Sequence, residues 1–536
     1  MKKYLILLVL FIFGSTFLFG QELEINSQEP DFQGDWFNLN LKEDGVYGVS
    51  VYEAYKYFSN LKIEPVIVAV IDDGVDVNHP DLQGQLWINT KEIPGNGIDD
   101  DGNGYIDDIY GWNFLGNPNG ENVTGDNMEL VRLYRPLKEK YENADPKALS
   151  KNEKKEYNRY LELKSAYDDV IEELHEDFGE YAQLVALYQG AMQYMLERLE
   201  VDELTSEDLL NFESEDESDI QVRDFLLMAE FQGLKDYLIE AAPYYESQIE
   251  YHYNLDFNPR SIVNEEEAAR NNTGYGNNMV WAGDPDHGTH VAGIIGAVRN
   301  NGQGINGIAT NARIMSLRAV PDGDEHDRDV ALAIRYAVDN GARVVNMSFG
   351  KDYSPEQDLV DEAIKYAAKH DVLLIHAAGN DGANLDKNKN YPDGTLGKKK
   401  TYPNFITVAA NGPFTEGEFL AEFSNYGKKS VDVLAPGVDI LSLKPNGETA
   451  TSSGTSMAAP VVTGIATVLR GAYPHLTASE IKDLIVKSAM MDKNLTTSFE
   501  GKEDVKVKKL IRNPGVPSLF MSLVIADKMY NKKDRK

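Results

Sequence analysis

Three short segments of this sequence each set one reactive side chain among small or apolar residues. They are Ala69-Val70-Ile71-Asp72-Asp73-Gly74-Val75, then His287-Gly288-Thr289-His290-Val291-Ala292-Gly293, then Gly454-Thr455-Ser456-Met457-Ala458-Ala459-Pro460. A hydroxyl attacks a carbonyl well only when a base takes its proton and a third group orients that base, so a serine, a histidine and an aspartate are types that can serve together. A fourth segment, Asn96 to Asp108, suggests a cation instead. Asp99, Asp101 and Asn103 place oxygens on alternate residues ahead of the Gly104 turn, Tyr105 can add its carbonyl, and Asp107 or Asp108 can close the shell of a structural Ca2+. Tyr110 stands where an EF hand has its glutamate, so the loop is EF-hand-like without being one. The chain has no cysteine, which excludes disulfides, thiol nucleophiles and Cys-ligated metals. No histidine pair at metal spacing supports a zinc peptidase.

Taken together and in this order, the three motifs resemble the subtilisin-like serine proteases, the subtilase family, over about residues 60–126 and 275–490. The resemblance implies a serine endopeptidase that works through an acyl-enzyme. His287 would be general base and then general acid, Asp72 would orient its imidazole, and Ser456 would attack. The Ser456 backbone N–H and the side-chain amide of Asn380, in Ala377-Ala378-Gly379-Asn380, would hold the oxyanion. Ser348, Phe349 and Gly350 match the segment that pairs with the substrate backbone as an added strand. With Ala377, Ala378 and Gly379 they would wall the pocket for the residue before the scissile bond. Gly454 is expected to let the chain bend into Ser456, and Gly288 to let the histidine helix approach the sheet. The acidic loop Asp322–Asp327 falls where family members contact residues farther upstream, and with Asp381 it hints at basic substrates. Asp73 stands where many members have serine or threonine, adding negative potential beside Asp72. Asp81 matches a calcium ligand of some members, but its partner loop is one residue longer here, so no second calcium site is assigned. A catalytically silent scaffold, or a processing peptidase of narrow specificity, would keep the same fold.

These residues need a framework. Apolar runs at Val66–Ile71, Arg313–Leu317, Arg343–Met347, Val372–His376, Ile406–Ala409 and Val431–Leu434 read as buried strands, with helices at Asp327–Asn340 and Glu356–His370 between them. The fold class is α/β, a parallel-sheet, subtilisin-like three-layer fold with an inserted α-helical subdomain. The insertion, 127–270, has a helical period: Tyr160, Leu163, Tyr167, Val170, Ile171, Leu174 and Phe178 form one stripe, and Tyr181, Leu184, Tyr188, Met192, Met195 and Leu199 a second. A third amphipathic segment, Ile220–Ala241, is expected to stop at Pro243, giving a small bundle in place of one long rod. Residues 1–20 read as a signal peptide, followed by an N-terminal segment, 21–62. The peptidase domain occupies 63–126 and 271–495, and a C-terminal extension 496–536. The expected location is therefore the periplasm or the cell exterior, with no stable membrane insertion after cleavage. A formal charge of −35 disfavours a nucleic-acid partner. Protein or peptide substrates are expected, and no organic cofactor; the sequence names no partner for the insertion.

Overall fold

Uninterrupted apolar, β-branched runs make strands that are covered on both faces, and the central sheet is built from them. Along the chain its strands are β1 (Val66–Asp72), β2 (Gly111–Asn113), β3 (Ala312–Arg318), β4 (Val344–Met347), β5 (Leu373–Ala377), β6 (Phe405–Asn411) and β7 (Val433–Pro436). They pair in parallel throughout, in the order β2-β3-β1-β4-β5-β6-β7. Six of them match the expected runs to within two residues at either end. Only β2 was missed, because three residues leave no periodic signal. The computed structural model describes residues 35–263, 275–396, 400–414, 419–489, 495–499 and 501–530. The expected signal peptide, the start of the 21–62 segment and the boundary at 270/271 lie outside them.

Side chains alternate across β1. Ala69 and Ile71 join Met315, Leu317, Val345 and Met347 in a core shared with the helices Asp327–Asp339 and Gln357–Lys369. Val66, Val68 and Val70 are equally buried toward the opposite layer, where the helices Asp286–Gly296 and Thr455–Ala472 pack together. The chain leaves β1 for β2 and β3 on one side and later for β4 on the other. Strand order thus reverses at the carboxyl end of β1, the usual place for a ligand crevice in an open parallel sheet.

Between β2 and β3 the chain makes a helical excursion: α1 (Glu129–Tyr141), α2 (Lys151–Leu199), the short helix Ser206–Asn211, α3 (Glu217–Phe231) and α4 (Leu234–Ser247). Two expectations are corrected here. Both aromatic stripes lie on the single helix α2, which starts at a Ser150–Glu153 capping box and runs for 49 residues, roughly 70 Å. The one rod serves two sets of partners. Tyr160 and Leu163 pack with Leu130, Tyr134 and Tyr141 of α1, whereas Ala191 and Met195 pack with Leu209 and Leu226. The Ile220–Ala241 segment is two helices, parted by Gly233 at φ 66°, and Pro243 lies inside α4. Its ring removes one backbone bond without ending the helix, which runs on into a wider π turn at Gln248–His252.

The segment after 495 packs against the sheet domain. Gly515 O accepts from Leu434 N at the β7 edge, and Leu519 N bonds Val49 O, so a sheet edge that would otherwise be open is covered. No helix among the described residues is long and apolar enough to cross a membrane.

Candidate active site

Asp72 closes β1, and its Oδ1 lies 2.7 Å from His287 Nδ1. The aspartate is buried and its other oxygen has no partner. His287 is the second residue of α5 (Asp286–Gly296), a helix that follows Pro285 and so has no side-chain cap of its own. Asp73 supplies one: its carboxylate accepts from the backbone N–H of Gly288 at 2.7 Å and of His287 at 3.1 Å. Sequence reasoning had given Asp73 only a share in the local potential, although the capless start at Pro285 was the signal to follow. Gly288 makes the approach possible, since a Cβ there would fall 1.9 Å from the Gly74 carbonyl oxygen.

Charge is concentrated at this junction. Burial pushes the Asp73 carboxyl up, and the neighbouring Asp72 charge adds to it; the His287 charge and the two backbone N–H groups oppose the rise. For His287, burial disfavours the cation, but the Asp72 charge, the Asp72 hydrogen bond and the Asp73 charge together raise the imidazole to about 9. The other histidines near the site are different. Burial holds His290 and His376 down at about 4, each with Nε2 on a backbone carbonyl, that of Ala450 or Phe349.

Ser456 is the second residue of α6 (Thr455–Ala472). Pro460 has no N–H to give to the carbonyl four residues back, which is that of Ser456. The Ser348 hydroxyl takes the opening, donating to Ser456 O at 2.8 Å, while the Ser456 hydroxyl donates to Ser348 O at 3.0 Å. The end of β4 and the start of α6 are therefore tied reciprocally. The Ser456 hydroxyl makes this bond in place of one to His287, and catalytic hydrogen bonds often form only when substrate is bound. Asn380 accepts from the Thr455 N–H and the Thr455 hydroxyl, both at 2.9 Å, through Oδ1. That pins the carboxamide and turns its NH2 toward Gly454, where a Cβ would lie 3.4 Å from Nδ2. Gly454 itself is extended, at φ 166°, and a Cβ there would make only ordinary contacts, so the bend expected of it is not present.

Ser348, Phe349 and Gly350 follow β4, Ala377 ends β5 and Ala378 and Gly379 follow it, so the two expected walls leave neighbouring strands. Gly350 abuts Asn390, and Asn390 and Asn425 both donate to the Ala378 carbonyl. Of the acidic loop 322–327, Asp324, Glu325 and Asp327 are buried. Lys351 reaches the Glu325 carbonyl and Asp327, and Arg132 of α1 reaches the Asp324 and Glu325 carbonyls. Only Asp322 of these acids turns to the cleft.

In the acidic loop, Asp99 and Asp101 stand close to Glu92, a residue outside the spacing motif that sequence reasoning missed. Asp107 accepts from the backbone N–H groups of Asn96 and Gly97, and Asp108 from Asn89, Asn103 and Tyr336. The Tyr105 ring packs on Trp112 and Tyr336. Glu92, Asp99 and Asp101 also accept from backbone N–H groups of this loop, but they bring three carboxylates within reach of one ion and so form the candidate cluster. An all-oxygen set of this kind fits a hard divalent cation.

A family model described as the Subtilase family matches residues 64–513. The chain is 42% identical over 185 residues to a thermophilic serine proteinase of Bacillus sp. (strain AK1), covering 34% of this chain and 42% of that protein. It is 38% identical over 207 residues to a cell wall-associated protease of Bacillus subtilis (strain 168), covering 38% of this chain and 21% of that protein. To thermitase of Thermoactinomyces vulgaris it is 38% identical over 204 residues, covering 38% of this chain and 67% of that protein. The chain thus spans less than half the length of the first two of these relatives.

Proposed function

Since the chain belongs to the subtilase family, we propose that it is a serine endopeptidase that cleaves protein or peptide substrates through an acyl-enzyme formed on Ser456. His287 Nε2 takes the Ser456 proton as Oγ attacks the carbonyl carbon, then delivers it to the leaving amine. Water repeats the sequence in reverse and frees the acid product. Asp72 keeps Nδ1 protonated and stabilises the imidazolium. The Ser456 N–H and the Asn380 NH2 receive the oxyanion. Ser348 to Gly350 pair with the substrate backbone, and Ala377 to Gly379 face them across the pocket for the residue before the scissile bond. The observation that supports this reading best is that His287, held by Asp72 at 2.7 Å, and Ser348, whose carbonyl takes the Ser456 hydroxyl at 3.0 Å, line one cavity at the reversal point of the sheet.

Structural calcium is common in the family, and we assign Glu92, Asp99 and Asp101 as the residues that would hold it here, bracing the loop that follows β1. Export to the periplasm or the cell exterior is part of the same reading; one matched relative is cell wall-associated. The test is hydrolysis of fluorogenic casein by the native protein and by Ser456→Ala, with calcium and with chelator. The expected result is activity lost in the variant and declining slowly in chelator. A native protein that leaves casein intact while folded would refute the reading.

A further inference from the structure

We propose that the helical excursion forms part of the substrate cleft and, through Tyr251 and an acidic rim, selects a cationic side chain at the second residue before the scissile bond. This rests on the peptidase reading above.

A cavity of about 590 Å³ opens beside His287, lined among others by Asp73, Asp284, Asp322, Arg318 and Tyr251. Tyr251 comes from the π turn that ends the excursion. Its ring lies flat on Gly125, where a Cβ would fall 2.6 Å from the ring. The Tyr251 carbonyl accepts from Asn127 at 2.6 Å and the ring meets Phe257 at 5.1 Å, so the aromatic wall is fixed. The next residue, His252, accepts from the Gln248 amide on Nδ1 at 2.8 Å and so presents Nε2–H to Asp322 Oδ1 at 2.9 Å. The backbone of Asp322 is held as well, its N–H on the Thr124 carbonyl and its carbonyl on the Asp126 N–H, both at 2.8 Å. The excursion therefore sets both the ring and one acid of the rim.

Geometry assigns the position. Successive side chains of an extended strand point to opposite sides. If the residue before the scissile bond enters the pocket between 348–350 and 377–379, its upstream neighbour points the other way, toward His287 and this cavity. Charge assigns the class. Four carboxylates, Asp72, Asp73, Asp284 and Asp322, line the cavity; Asp72 is taken by His287 at 2.7 Å, and the remaining three face Arg318, which is buried with its guanidinium on Asn113 Oδ1 at 3.2 Å and the Val123 carbonyl at 2.7 Å. The nearby Lys444 is paired with Asp286 at 2.8 Å. A lysine or arginine side chain meets both the ring face and the surplus negative charge, whereas an acidic one is repelled.

The test uses three internally quenched peptides, alike except for Lys, Leu or Glu at that position, cleaved by the full chain and by Tyr251→Ala, Tyr251→Phe and Asp284→Asn. The wild type should favour Lys over Leu in kcat/KM by about tenfold or more, with Glu slowest. The ratio should fall severalfold in Tyr251→Ala, in Asp284→Asn and at high salt, and survive in Tyr251→Phe. Cleavage of all three peptides at similar rates would overturn the subsite and leave the peptidase reading standing; so would a Lys preference unchanged in both Tyr251→Ala and Asp284→Asn. Failure of the wild type to cleave any of the three, with Ser456 inert to a phosphonate, would overturn the peptidase reading and the subsite together.

Discussion

The two ends of the helical excursion are held by different forces. At its root the contacts are buried charges: Lys351 Nζ reaches Glu129 Oε2 at 2.8 Å, and Arg132 reaches the same oxygen at 2.6 Å and Asp126 at 3.6 Å. Burial would lift the Glu129 carboxyl, but Arg132 and Lys351 hold it below its ordinary value. Such a set has one good arrangement and a heavy penalty for losing a member. Lys351 directly follows Ser348–Gly350, so the root is continuous with the proposed substrate-binding edge. At the far end the contacts are mainly apolar, in small clusters around Ala191, Met195, Leu209 and Leu226 and around Ala229, Leu234 and Leu238, with one buried carboxylate, Asp219, held by Arg198, Tyr194 and Ser214. Phe231 is 92% exposed and Leu210 70%. The difference predicts that α2 is held fast at its root and opens locally at its far end.

The contrast can be broken most forcefully at Lys351. Lys351→Met leaves the buried Asp327 without its cation and Glu129 with Arg132 alone, and is expected to cost about 3–5 kcal/mol in urea unfolding, with a fall in kcat/KM; a cost under about 1 kcal/mol would erase the distinction. Leu226→Ala tests the other end. Its loss of about 2–5 kcal/mol should appear as faster hydrogen exchange confined to the distal part of α2 and to the helices between Ser206 and Ser247, with peptide hydrolysis unchanged. Exchange spreading into the sheet would show that the far end does not open on its own.

Asp73→Asn sharpens the comparison at the catalytic floor, where buried charge also acts through position. As the proposed base His287 serves only when neutral, so its raised value is expected to put the rising limb of kcat/KM at alkaline pH. Removing the Asp73 charge lowers that value, so the limb should move to lower pH, by about one unit, as read from a pH–rate profile. A limb that stays in place would rule out the coupling. Least of all, Phe231→Ser should change stability by no more than about 0.5 kcal/mol by thermal unfolding, as fits a side chain that packs on nothing.

The sheet was legible because strands buried on both faces are nearly continuous apolar runs. The three motifs were legible because close packing around Asp72, His287 and Ser456 restricts their neighbours to small residues such as Gly288. What escaped the sequence is what depends on residues far apart meeting. Asp73 caps a helix more than two hundred positions later, Glu92 joins Asp99 and Asp101 from outside their spacing, and Tyr251 arrives at the cleft from a segment that shows only helical periodicity. Gly179 falls between the two stripes of α2, but a glycine in a helix costs only about 1 kcal/mol, and packing on both sides of it outweighs that cost.

The most direct test of the central assignment is peptide mapping after reaction with a fluorescent phosphonate, in the native chain and in His287→Ala. The account predicts a single adduct on Ser456 in the native chain, formed far more slowly without the imidazole. An adduct elsewhere, or one on Ser456 whose rate ignores His287, would contradict it.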